Sequence, residues 1–187
     1  RARFIEDLVA EQAARGVGQY VILGAGLDTF AQRRPELASR LLVFEIDQPG
    51  PQEWKRKRLV DLGLGIPSFL RLVPVDFEAG DAWWERLAAS DFNSGRPAVV
   101  ASTGVSMYLT KDAIMATLRQ VASIAKGSTL VMSFMLPIEL VDPDAFEPPR
   151  SAFGVDDAHL DRVPTRAWIR GHLCETLQRR VEVVEVD

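Results

Sequence analysis

The sequence predicts an α/β protein built on a doubly wound, mostly parallel sheet. Three observations predict it. Short apolar runs alternate with amphipathic helical segments, the first run ends directly in glycine, and polar residues, chiefly acids, stand at the ends of the others. Alternating strands and helices imply right-handed crossovers and parallel pairing. In such a sheet, ligands bind in the crevice beyond the carboxyl ends of the strands.

Residues 3–15 place Phe4, Ile5, Leu8, Val9 and Gln12 at helical spacing, with Glu6, Asp7 and Glu11 on other faces, and Gly16 as the stop. Tyr20-Val21-Ile22-Leu23 is continuously apolar, as expected of a strand covered on both faces. Residues 41–46 read as a second strand. The helix after it, residues 51–62, groups Trp54, Lys57 or Arg58, and Leu62. A third strand spans 70–75, and the helix over 81–90 has Trp83, Trp84, Leu87 and Ala88 on its buried side. Residues 97–101 form a fourth strand. The helix over 111–125 presents Ile114, Leu118, Val121 and Ala125, widened by Met115 and Ala122, with Thr110 as its cap. Residues 128–134 form a fifth strand.

Beyond Leu136 the pattern weakens. Residues 137–164 are rich in proline and acids, a helix is expected over 167–179, and a period-two strand over 181–186. The whole chain, 1–187, is expected to be one domain, with 137–187 poorly assigned.

A net charge of -4 argues against nucleic acid as a partner. The basic run Lys55-Arg56-Lys57-Arg58 reads as a solvated helix face on which one side chain must lie over apolar surface. No apolar stretch approaches the roughly 20 residues of a membrane helix, so no membrane association is expected. Cys174 stands alone, which excludes an internal disulfide and a thiolate metal centre, and a cytoplasmic setting is expected. His159 and His172 have no partner at metal-ligand spacing.

The functional reading turns on Gly24-Ala25-Gly26-Leu27-Asp28-Thr29 after the first strand. Glycines there let the chain turn sharply and let a ligand approach the backbone. Glycine after a strand often marks only a turn, but Asp47 ends the second strand about 20 residues further on, where an acid can accept both ribose hydroxyls of an adenosine. The dinucleotide fingerprint asks for a third glycine where this chain has Thr29. Asp28 would repel a pyrophosphate and favour the sulfonium or ammonium of S-adenosylmethionine. A plainer role for Asp28, compatible with the first, is to cap the next helix. No lysine follows in the pattern of a nucleoside-triphosphate loop.

At the third strand end, Asp76 can accept the exocyclic amine of adenine while Phe77 packs on the ring. At the fourth, Thr103 and Ser106 can hydrogen-bond near a reacting methyl, and Met107 and Tyr108 line either the ligand or the core. Methyl transfer asks mainly for alignment, so no catalytic base is named.

Residues 21–29, 43–49, 73–77 and 107–109, that is Val-Ile-Leu-Gly-Ala-Gly-Leu-Asp-Thr, Val-Phe-Glu-Ile-Asp-Gln-Pro, Val-Pro-Val-Asp-Phe and Met-Tyr-Leu, resemble blocks of a known family. It comprises bacterial and mycobacterial S-adenosylmethionine-dependent methyltransferases related to leucine carboxyl methyltransferases, and the likeness runs over about residues 1–140. The resemblance implies a Rossmann-like class I methyltransferase fold and S-adenosyl-L-methionine as cofactor. It implies that Asp47 holds the ribose, Asp76 and Phe77 meet adenine, and Gly24 and Gly26 approach the methionine portion. Arg3, or less closely Arg1, resembles the arginine that pairs with the methionine carboxylate.

The chain departs from the family at Thr103, where many relatives have glutamate. Family members usually carry an N-terminal helical segment ahead of this opening, and residues 142–187 match their tail poorly, so a truncated lid and tail are expected. The function expected is O-methylation of a small-molecule hydroxyl or carboxylate. The alternatives are an NAD-dependent oxidoreductase and a non-catalytic binding or dimerisation module that retains the fold. The sequence leaves the oligomeric state open, a homo-oligomer included.

Overall fold

The computed structural model describes residues 2–76 and 83–134. The expectations for Arg1, Phe77, the tail helix and strand, Cys174 and both histidines lie outside these residues. Five parallel strands lie in the order β3-β2-β1-β4-β5: β1 (Gln19–Leu23), β2 (Leu42–Asp47), β3 (Leu70–Pro74), β4 (Val99–Ser102) and β5 (Thr129–Met132). The chain runs outward from β1 to β3, then returns to place β4 on the other side of β1, with Leu23 beside Ser102. The direction of winding therefore reverses between β1 and β4, the position at which open sheets of this kind bind their ligands.

Every residue of β1 is buried, and its alternation divides the core. Tyr20 and Ile22 join Val43, Leu70 and Val99 on one face, under Ile5 and Val9 of α1 (Ala2–Ala14) and Phe30 of α2 (Phe30–Arg33). Leu37 and Ala38 of α3 (Pro35–Ala38) complete that layer. Val21 and Leu23 join Phe44, Ile46 and Val100 on the other face, against Trp83 and Leu87 of α5 (Trp83–Ala88) and Val121 of α6 (Lys111–Ala122). Coverage of both faces explains why residues 20–23 of β1 are all apolar rather than alternating. The cap of α6 is as expected, with the Ala113 N–H donating to Thr110 Oγ1 at 3.2 Å.

At the amino end of the sheet, Gln19 acts as a latch. Its amide donates to the carbonyls of Asn93 (3.0 Å) and Arg96 (3.3 Å), while its own oxygen accepts the Asn93 N–H at 2.8 Å. The turn that leads into β4 is thus tied to the first residue of β1.

Three helix faces differ from the sequence reading. On α4 (Pro49–Asp61) the buried residues are Gln52, Lys55 and Leu59, while Trp54 and Leu62 are exposed. On α5, Ala88 faces solvent. On α1, Glu6 is buried with Ile5 and Val9 because Arg33 and Arg34 pair with it, at 2.6 and 3.4 Å. Opposite charge supplied by a distant segment makes an inward acid tolerable, and helical periodicity carries no sign of it. Among the described residues, no helix is long and apolar enough to cross a membrane, and no group of three or more His, Cys, Asp or Glu could hold a metal ion.

Candidate cofactor site

β1 continues its sheet bonding two residues past Leu23, with the Ala25 N–H donating to the Ile46 carbonyl at 3.0 Å. The chain then turns, and the Asp28 N–H returns to the Ala25 carbonyl at 2.8 Å. Gly24 (φ +66°) and Gly26 (φ +50°) both hold left-handed backbone conformations, which a side chain disfavours by about 1–2 kcal/mol. Their surroundings differ. A Cβ on Gly24 would collide with Cγ2 of Val105, so this glycine makes room for the loop after β4. A Cβ on Gly26 would meet only Asp47 Oδ2, 3.8 Å away. The backbone that a ligand can approach is therefore at Gly26.

Asp47, the last residue of β2, turns its carboxylate onto this loop. Oδ2 accepts the Gly26 N–H, and Oδ1 accepts the Gln48 N–H at 2.7 Å. An ionised carboxylate offers about four acceptor positions, so half remain for a ligand. Asp28 Oδ1 accepts the Phe30 N–H at 2.7 Å, a local bond to the first residue of α2 made from one residue ahead of the N-cap position, Thr29. Asp28 and Asp47 are both half-buried, and both lie close enough to Glu45 to act on it electrostatically.

Beneath the loop lies a pair that the sequence reading missed. Glu45 projects from β2 with no exposure to solvent, and Lys55 of α4 is 4% exposed. The Lys55 ammonium donates both to Glu45 Oε2 and to the Asp28 carbonyl. Gln52 of the same helix face donates to the Glu45 carbonyl at 2.8 Å. Glu45 Oε1 is buried without a hydrogen-bond partner in the described structure.

Burial raises the Glu45 carboxyl from its ordinary 4.5 to about 7, against the pull of Lys55, and the carboxylates of Asp28 and Asp47 add to the rise. Tyr20, on the same face of the sheet, is raised by burial and then by Asp28, Glu6 and Glu45. A carboxyl raised in this way holds its proton more tightly folded than unfolded. Its contribution to stability is complete below the unfolded value and is lost as pH climbs through the folded one. Between pH 5.5 and 7 the protein is expected to lose about 2 kcal/mol relative to Glu45→Gln. Urea titrations of both proteins across that range check this, and parallel pH profiles would refute it.

The remaining sequence candidates divide. Asp76 is half-buried just past β3, and the Val75 N–H donates to the Asp47 carbonyl at 2.8 Å, which brings the ends of β2 and β3 level. Thr103 is half-buried beyond β4. Gly104 follows it with open space where a Cβ would stand, and its N–H donates to Ser133 Oγ at 2.8 Å. Ser106 is buried and donates to the Ser133 carbonyl at 3.0 Å, so it fastens this loop to the end of β5 rather than facing a ligand. Arg3 extends into solvent from α1 with its guanidinium 4.0 Å from Asp7, and its described contacts do not join it to the loop.

The strand order, the glycine turn after β1 and the acid closing β2 are those of the class I S-adenosylmethionine-dependent methyltransferase fold. The O-methyltransferase family protein from Burkholderia thailandensis superposes with a TM-score of 0.56 at 19% identity, covering 94% of this chain and 50% of that one. Mitomycin 7-O-methyltransferase MmcR superposes with a TM-score of 0.55 at 20% identity, covering 94% and 48%. The profile of the family described as leucine carboxyl methyltransferase matches residues 1–122, and the chain belongs to that family.

YktD of Bacillus subtilis (strain 168), named provisionally as an S-adenosyl-L-methionine-dependent methyltransferase, is 36% identical over 135 residues. That match covers 72% of this chain and 44% of YktD. A relative in Mycolicibacterium smegmatis with the same provisional name is 34% identical over 145 residues, which is 77% of this chain and 47% of its own length. The matched region thus spans about half the length of these relatives.

Proposed function

We propose that this chain binds S-adenosyl-L-methionine in the β1–β4 crevice and supplies the cofactor half of a methyltransferase acting on an oxygen of a small molecule, a hydroxyl or a carboxylate. The observation that carries the reading is the bond between the Gly26 N–H and the Asp47 carboxylate, which joins the glycine turn to the acid that ends β2. The residues present fit the cofactor. Gly26 leaves its backbone unscreened, Asp47 keeps acceptor positions for two hydroxyls, and Asp28 adds negative charge suited to a cationic ligand. When bound, the cofactor supplies a methyl group on a sulfonium. The protein's part is to orient it, with Asp76 and Phe77 assigned to adenine and Arg3 to the methionine carboxylate. Thr103, half-buried beyond β4, is assigned a hydrogen bond to the cofactor near the methyl group. Membership of the leucine carboxyl methyltransferase family supports oxygen as the atom methylated.

Calorimetric titration with S-adenosylmethionine, S-adenosylhomocysteine and NAD⁺ tests the cofactor. A hundredfold excess over the dissociation constant of the true ligand stabilises by about 2.7 kcal/mol. Stabilisation by NAD⁺ alone would overturn the reading. Asp47→Ala is expected to weaken cofactor binding by about 1.5–3 kcal/mol, or roughly ten- to a hundredfold. Thermal melting of the same variant reports separately the loss of its bonds to Gly26 and Gln48. Unchanged affinity would remove Asp47 from the ribose.

A further inference from the structure

Lys55 puts a charge where the packing of α4 onto the sheet gives no reason for one. The helix face it shares with Gln52 and Leu59 is buried, and a leucine or methionine would cover the sheet at lower desolvation cost. What an apolar residue could not do is donate hydrogen bonds. The ammonium has two acceptors on two different elements: Glu45 Oε2 on β2 and the Asp28 carbonyl on the glycine turn. One side chain of α4 thereby joins the helix to the strand and to the turn.

The turn is consequently held at both ends by charged groups. At its start, the Gly26 N–H is taken by Asp47; at its end, the Asp28 carbonyl is taken by Lys55. The peptide planes between them carry the backbone surface exposed by Gly26, and the side chain of Asp28 accepts the N–H of Phe30, the first residue of α2. Glu45 also answers an electrostatic problem. An unneutralised ammonium under the turn would oppose a cationic ligand above it, and the buried carboxylate cancels that charge without reaching the rim.

We propose that Lys55 is a positioning residue for the cofactor: anchored on Glu45, it holds the Asp28 carbonyl and so fixes the glycine turn in the orientation the ligand meets. The inference rests on the cofactor reading above. It goes further in assigning a role to a residue that does not touch the ligand.

The test compares wild type, Lys55→Arg and the paired variant Glu45→Leu/Lys55→Met, which removes both charges and strands neither. Two quantities are read: the dissociation constant of S-adenosylhomocysteine by calorimetry, and amide hydrogen exchange over residues 24–30 in the ligand-free protein. The paired variant is expected to melt cooperatively, to bind roughly tenfold more weakly, and to exchange faster in the turn. Lys55→Arg, which retains a charged donor, is expected to stay within about threefold of wild type on both readouts. Should the paired variant not fold, Lys55→Met at pH 6, where Glu45 carries a proton, supplies the same two readouts.

A folded variant lacking the ammonium, with wild-type affinity and wild-type exchange, overturns the inference. So does weaker binding with unchanged exchange, because Lys55 would then act by another route than the turn. Failure of the wild-type chain to bind S-adenosylhomocysteine sinks the cofactor reading and the positioning role together. Wild-type binding that survives the loss of Lys55 sinks the positioning role alone.

Discussion

Lys55→Met is expected to lower the unfolding free energy at pH 8 by about 3–5 kcal/mol, because it strands Glu45 as a lone carboxylate in the core. For a chain of this size the loss corresponds to a fall in melting temperature of about 10 °C or more. The deficit should shrink toward pH 5, since an abandoned buried acid takes up a proton rather than stay charged. The paired change Glu45→Leu/Lys55→Met provides the contrast. Apolar replacement of a whole buried pair is often neutral, and only the Asp28 carbonyl loses its donor, at about 1 kcal/mol. Equilibrium unfolding of the two variants measures the difference. If the single change costs no more than the paired one, Glu45 and Lys55 do not depend on each other for their burial.

Gly24→Ala is expected to destabilise by about 2–4 kcal/mol. Part of the cost is the left-handed backbone at φ +66°, about 1–2 kcal/mol for any residue with a Cβ. The rest is the collision with Val105, an overpacking that costs about 1–3 kcal/mol where neighbours cannot yield. Val105→Ala in the same chain should return the second part and leave the first. A double-mutant cycle in urea therefore yields a favourable coupling between the two substitutions. Strict additivity would mean that the loop after β4 does not press on Gly24.

The same glycine marks how far the sequence could be read. The turn after β1, the acid ending β2 and the order of strands and helices were all legible, because each leaves a local trace: an apolar run, a breaker, a polar residue at a fixed offset. The division of labour within Gly24-Ala25-Gly26 was not. Both glycines satisfy the same backbone rule, and only the position of Val105, brought in by β4, shows that one serves packing while a side chain on the other would meet only Asp47. The buried side of α4 was hidden for a related reason. Apolar periodicity selects Trp54 and Leu62, whereas the face turned inward carries Gln52 and Lys55, whose partners Glu45 and Asp28 come from other elements. Charge neutralisation across elements has no period. Ser106 illustrates the converse: a hydroxyl beside the expected methyl path proved to be bonded to Ser133, a residue with no local connection to it.

The Gln19 latch gives the molecule two ends with separate duties. The bonds joining β1 to the turn before β4 lie at the amino end of the sheet, while Gly26, Asp47 and Gly104 lie at the opposite end. The latch ties β1 to the turn before β4 at a distance from the glycine turn. Breaking the latch is therefore felt first at the end of the sheet farthest from Gly26 and Asp47.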